Sequence, residues 1–171
     1  MSLSVKDRAQ RIATFRYIEV RLMETVAAWT PLVPEMEVKV LFGRHIWDFA
    51  QHADALGKRT FELRQPLHTS RAPREDYLAF LGEIADLDAT DARLGGLYEV
   101  LIPGLVRRYR EYLDATDHLL DAPSVVIIER ILTDLERQRR DGLALRQTLG
   151  PARWKDDRFR DREAAIREIT A

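Results

Sequence analysis

Apolar residues recur at three- and four-residue spacing along almost the whole chain, a pattern that predicts helices. Ser4 is placed to cap a first helix running to about Trp29, with Ile12, Phe15, Glu19, Leu22, Met23 and Val26 along one stripe. Thr30-Pro31-Leu32-Val33-Pro34 ends it, because prolines cannot continue the backbone ladder. Pro34 suits the first turn of a second helix, expected to reach about Arg64. Gln65 to Arg74, with Pro66 and Pro73, reads as a connector. Glu75 to about Leu87 reads as a short helix, and Thr90 is expected to cap a long one that ends near Thr116. The stripe of that long helix is Leu94, Tyr98, Leu101, Leu105, Tyr109 and Tyr112, and Pro103 inside it predicts a kink. Asp121-Ala122-Pro123 opens the last long helix, ending near Gly150. Val125 to Ile128 is β-prone but runs straight into helical spacing, so no strand is expected.

Four long helices result, joined in pairs by short connections. Between the pairs lies a segment long enough to cross the length of a bundle, which predicts an up-down-down-up order. The expected division is a helical bundle over residues 1–151 and a charged tail over 152–171, with a short terminal helix from about Asp161.

Composition narrows the picture. The chain has 171 residues, 46% hydrophobic and 32% charged, with a net charge of −1, so there is no electrostatic case for nucleic acid. Cysteine is absent, which excludes disulfides, thiolate metal sites and cysteine nucleophiles. No apolar run approaches a membrane span, and the first residues carry no signal-peptide core, so a cytoplasmic protein is the expectation. Trp29, Trp47 and Phe80 fall off the main stripes of their helices and need cover, which predicts a homodimer or internal cover by the crossover helix or the tail.

The second helix carries the unusual chemistry. His45 and His52 lie about 20° apart around it, inside the stripe of Val38, Leu41, Phe49 and Leu56, and Asp48 sits at the stripe's edge. Glu19 lies near the centre of the first helix's stripe, and a lone buried carboxylate is costly unless it is paired or bound to a metal. Counting from the proline turn puts Glu19 level with His45, so Glu19 is expected to pair with His45 more readily than with His52, with a tyrosine of the later helix in reach.

Asp48-Phe49-Ala50-Gln51-His52-Ala53 resembles the second-helix signature of ferritin-like carboxylate di-iron proteins, Asp-Glu-x-x-His-Ala, with Phe49 where the bridging Glu belongs. The matching frame in the last helix reads Asp134-Leu135-Glu136-Arg137-Gln138, with Leu135 and Gln138 in the places of Glu and His. The resemblance implies an all-α, ferritin-like four-helix bundle with a short crossover helix and a charged C-terminal extension. It also implies iron or manganese at a degenerate site drawn from Glu19, His45, Asp48 and His52, with oxidative chemistry. The missing Glu predicts that Phe49 and Leu135 instead close an apolar contact. The alternative reading is a metal-free bundle serving as a ligand-binding or protein-interaction module, in which the same residues form an internal polar network.

Overall fold

A computed structural model describes residues 3–171, and every regular element among them is helical. The elements are α1 (Val5–Trp29), α2 (Met36–Glu62), α3 (Glu75–Ala85), α4 (Thr90–Gly95), α5 (Ile102–Ala115), α6 (Ala122–Thr148) and α7 (Asp157–Ala165). A 3₁₀ turn at Thr30–Leu32 follows α1, and a π-helical turn at Gly96–Leu101 joins α4 to α5 in one continuous helix. No described helix is long and apolar enough to cross a membrane.

Local chemistry explains most boundaries. Ser4 and Asp7 form a reciprocal capping box: the Asp7 amide donates to Ser4 Oγ at 3.2 Å, and the Ser4 amide donates to Asp7 Oδ2 at 3.1 Å. Thr90 was expected as a cap but is the first helical residue, and its hydroxyl donates to Glu35 at 2.9 Å instead. The kink expected at Pro103 takes the form of the π turn just before it. Proline has no N–H for the carbonyl one turn back, and a widened turn absorbs the mismatch.

Four contacts between element ends give the helix directions. The Leu3 amide donates to Ala115 O at 3.2 Å, joining the start of α1 to the end of α5. The Thr90–Glu35 bond sets the start of α4 beside the turn between α1 and α2. Arg59 donates to Asp121 at 2.9 Å, and Arg146 to Asp91 at 2.6 Å, linking the end of α2 to the start of α6 and the end of α6 to α4. The four long helices therefore run up, down, down and up, with α1 packed on α2 and α6 packed on both α2 and α5.

Phe49 and Leu135 are both fully buried, as the missing Glu residues predict. Two of the three aromatics expected to need cover have it inside the chain. Trp29 is buried and donates its indole N–H to Ala85 O at 2.9 Å, and Phe80 packs between Tyr77 and Phe159. Trp47 alone of the three stays 65% exposed. The charged tail is docked rather than loose: its helix begins at Asp157, and Ile166 and Ile169 join the core. Glu163 reaches Arg108 in a slot that a Cβ at Gly104 would fill.

Candidate functional site

The interior holds a line of polar side chains running from α1 to α6. Tyr109 of α5 donates its hydroxyl to Glu19 Oε1 at 2.6 Å, and His52 Nδ1 donates to Glu19 Oε2 at 3.1 Å. On its other side, His52 Nε2 donates to Asp134 Oδ2 at 3.2 Å. Arg137 then bridges Asp134 at 2.8 Å and Asp48 at 3.0 Å, and Gln138 donates to Asp48 at 3.1 Å. Glu19 and His52 are buried, while Asp134 and Arg137 at the far end reach solvent.

An imidazole that serves a carboxylate at each nitrogen must carry both protons, so His52 is an imidazolium. Burial pulls its pKa down, but the Glu19 charge and the hydrogen bonds to Glu19 and Asp134 outweigh burial and hold it above the ordinary 6.5. For Asp134, burial raises the pKa, and the hydrogen bonds from Arg137 and His52 overcome it and hold the carboxylate below its usual range.

His45 takes a separate place. Its Nδ1 lies 2.7 Å from the Tyr98 hydroxyl, and its Nε2 is buried with no hydrogen-bond partner among the described residues. Burial pushes its pKa down to about 4, so the ring is neutral. Tyr98 sits in the π turn, and its ring lies against the backbone of Gly142, where a Cβ would run into it. Glycine at 142 is what allows that approach.

The sequence-predicted residues are thus divided. Glu19 and His52 meet, Asp48 joins them only through Arg137 and Asp134, and His45 lies with Tyr98. The expected Glu19–His45 pairing is corrected to Glu19–His52. Two effects move the register: the 3₁₀ turn carries the chain past Trp29 before it reverses, and helical side chains lean toward their own N-termini. On antiparallel helices that lean sends Glu19 away from the turn and His52 toward it. Among the described residues, no three histidines or carboxylates come together as a group able to hold a metal. His52 has no free lone pair, and Asp48 faces a guanidinium and an amide. These residues do not fit the iron or manganese site that the resemblance implies.

Sequence reasoning missed Asp134, which sits beside Leu135 at the edge of the α6 stripe, one turn from Gln138. It also missed a second buried centre, where Asp121 accepts hydrogen bonds from Arg59, Ser124, Tyr112 and Thr116. Asp121 stands immediately before α6 and reads from sequence as a helix start.

Above the relay, a cleft of about 320 Å³ opens between α2 and α6. His52 and Ile131 form its floor, Ala55, Val126 and Ile127 its apolar walls, and Gln51, Asp54, Lys58 and Arg130 its rim. Lys58 is paired with Asp54 at 2.7 Å, whereas Arg130 forms no ion pair among the described residues. No model of a known protein family, no curated protein and no solved structure matches the chain.

The two histidines set opposite pH dependences. The raised pKa of His52 contributes stability that is complete below 6.5 and fades as pH rises through its higher folded-state value. The lowered pKa of His45 costs stability as pH falls from 6.5 toward 4. Stability governed by these two groups is therefore expected to peak near neutrality. In an NMR titration His52 should titrate above 6.5 and His45 should stay neutral down to about pH 5. Glu19→Gln should lower the His52 midpoint and flatten the alkaline loss of stability. A His52 midpoint below 6.5 would contradict the two-carboxylate clamp.

Proposed function

We propose that this protein is a metal-free helical ligand-binding module whose cleft between α2 and α6 takes a small organic anion with an apolar body. The observation that carries the reading is the pairing, in one cleft, of apolar walls with an Arg130 at the rim that forms no ion pair among the described residues. Pockets that bind small molecules combine those two features at this size. His52 is neutralised by Glu19 and Asp134, so Arg130 is the group left to receive a carboxylate.

The architecture belongs to the same proposal. The up-down-down-up order, with α3 on the connection between the pairs, supports a ferritin-like arrangement in which Phe49 and Leu135 occupy the places of bridging ligands. No step through iron or manganese is part of it.

Calorimetric titration with octanoate and benzoate, with octanol and benzyl alcohol as neutral controls, tests the reading. The acids should bind, with amide shifts at Ala55, Ile127 and Ile131, and the alcohols should bind at least about tenfold more weakly. Arg130→Glu should abolish the preference for acids. Absence of binding at millimolar acid would overturn the ligand class. Stoichiometric iron or manganese in protein purified without chelator, lost in Glu19→Ala or His52→Ala, would overturn the metal-free reading.

A further inference from the structure

The outward face of the first half of α2 is left uncovered by the described residues. Met36, Val40 and Trp47 are each at least 61% exposed. They fall within about 40° of one another around the helix, so they form one stripe. Leu32, in the turn just before α2, is also 63% exposed. A contiguous exposed apolar stripe of this kind calls for an occupant.

The charges beside the stripe indicate which one. Glu37 and Arg44 are seven residues apart, hence about 10 Å along the axis and on the same side of the stripe. Both are exposed, and neither side chain forms a hydrogen bond or ion pair within the chain among the described residues. An acid and a base on one flank, separated along the axis, are self-complementary under a two-fold rotation. Let two copies of α2 lie antiparallel, related by a two-fold axis perpendicular to the plane of the helices and passing between positions 40 and 41. Position 37 of each copy then opposes position 44 of the other, on the same flank, twice over. The same register stacks Val40 near its symmetry mate. It also carries Trp47 to the N-terminal end of the other copy's α2, about 3 Å beyond the level of that copy's exposed Met36. The register that satisfies the charges also brings each tryptophan against the end of the other copy's α2.

We propose that this stripe is a homodimer interface, with two copies of α2 packed antiparallel through Val40 and Trp47 and locked by reciprocal Glu37–Arg44 ion pairs. It is a small interface centred on one helix, so the dimer dissociates at low concentration and in salt. The interface lies on the outer face of α2 and does not depend on the cleft or its ligand.

Sedimentation velocity on the full chain tests it. The wild type should be dimeric at about 100 μM and dissociate on dilution. Trp47→Asp, at an exposed position that leaves the helical circular dichroism unchanged, should be monomeric at the same concentration. Glu37→Arg and Arg44→Glu should each weaken the dimer by about tenfold or more, because each sets like charges opposite one another. The double variant Glu37→Arg/Arg44→Glu should restore the dissociation constant to within about threefold of wild type, since the swap recreates the same pairs. A wild type that stays monomeric at several hundred micromolar overturns the proposal. So does a dimer that survives Trp47→Asp, or a double swap no tighter than the single ones.

Discussion

Asp121→Ala is expected to lower the stability of the fold by about 3–5 kcal/mol, because it removes the buried carboxylate from a charge cluster and leaves buried Arg59 with only the half-exposed Glu62, 2.7 Å away, as its counter-ion. Asp121 is fully buried at the start of α6. One oxygen accepts from Arg59 Nη2 at 2.9 Å and Ser124 Oγ at 2.6 Å, and the other from the Tyr112 hydroxyl at 2.7 Å and the Thr116 hydroxyl at 2.8 Å. Its neighbours come from the end of α2, the end of α5 and the start of α6, so this carboxylate ties three helix ends at one pole of the molecule. Burial raises its pKa, but the hydrogen bonds from Ser124, Tyr112, Thr116 and Arg59 outweigh burial and hold it below the usual carboxylate range. A lowered folded-state pKa contributes stability that is present above the unfolded carboxylate value and lost as pH falls through the folded one. Urea unfolding of Asp121→Ala and Asp121→Asn at neutral pH measures the loss. Asn keeps the shape but not the charge, and it should recover less than half of it. A cost under about 1 kcal/mol for Ala would show that Arg59 and the hydroxyls find water instead.

The helices were legible because their signals are local. Ser4, the prolines at 31 and 123, and the spacing of Ile12, Phe15 and Leu22 each act within a turn or two of chain, whereas Pro34, expected in the first turn of α2, stands just outside it, before Met36. The up-down-down-up order was legible from connection lengths alone. What stayed hidden depends on how two helices slide past each other. Glu19 and His45 count as level from the turn, yet Glu19 meets His52, since a few ångströms from the 3₁₀ turn and the lean of the side chains are enough to change partners. The π turn was similarly out of reach: Pro103 announces a disturbance, but not that the chain absorbs it by widening around Tyr98.

The polar residues show the same limit. That Glu19 and His52 are buried follows from their place on the stripes. That His52 is held between two acids does not, because Asp134 lies at the edge of the α6 stripe, where an acid ordinarily faces water. The partner that decides whether His52 can bind a metal is thus an unremarkable surface residue in sequence. Trp29, Trp47 and Phe80 make a parallel case. All three read alike as aromatics off their stripes, and only the docking of α3 and the tail separates the two that are covered from the one that is not.

Phe49→Ala is expected to cost about 3–5 kcal/mol, the range for truncating a fully buried phenylalanine in a well-packed core. Phe49 has no exposed surface, and its ring meets the His52 ring edge-on, with centroids 6.3 Å apart and planes at 78°. It therefore fills volume and also packs against the imidazolium. Removing it loses the transfer energy of the ring and leaves a cavity beside a charged group, one that the surrounding helices can collapse into only in part. Phe49→Leu should recover more than half of the loss, because leucine restores most of the apolar volume. Urea unfolding with an unchanged m-value measures both, and an NMR titration of the variants reads the second role. If water enters the cavity of Phe49→Ala, burial penalises the imidazolium less, so the His52 midpoint should rise or hold while stability falls. A loss well under 1 kcal/mol would place Phe49 outside the core. A large loss accompanied by a drop in the His52 midpoint would mean that the ring holds the Glu19–His52–Asp134 geometry itself, and that the relay comes apart when the ring is removed.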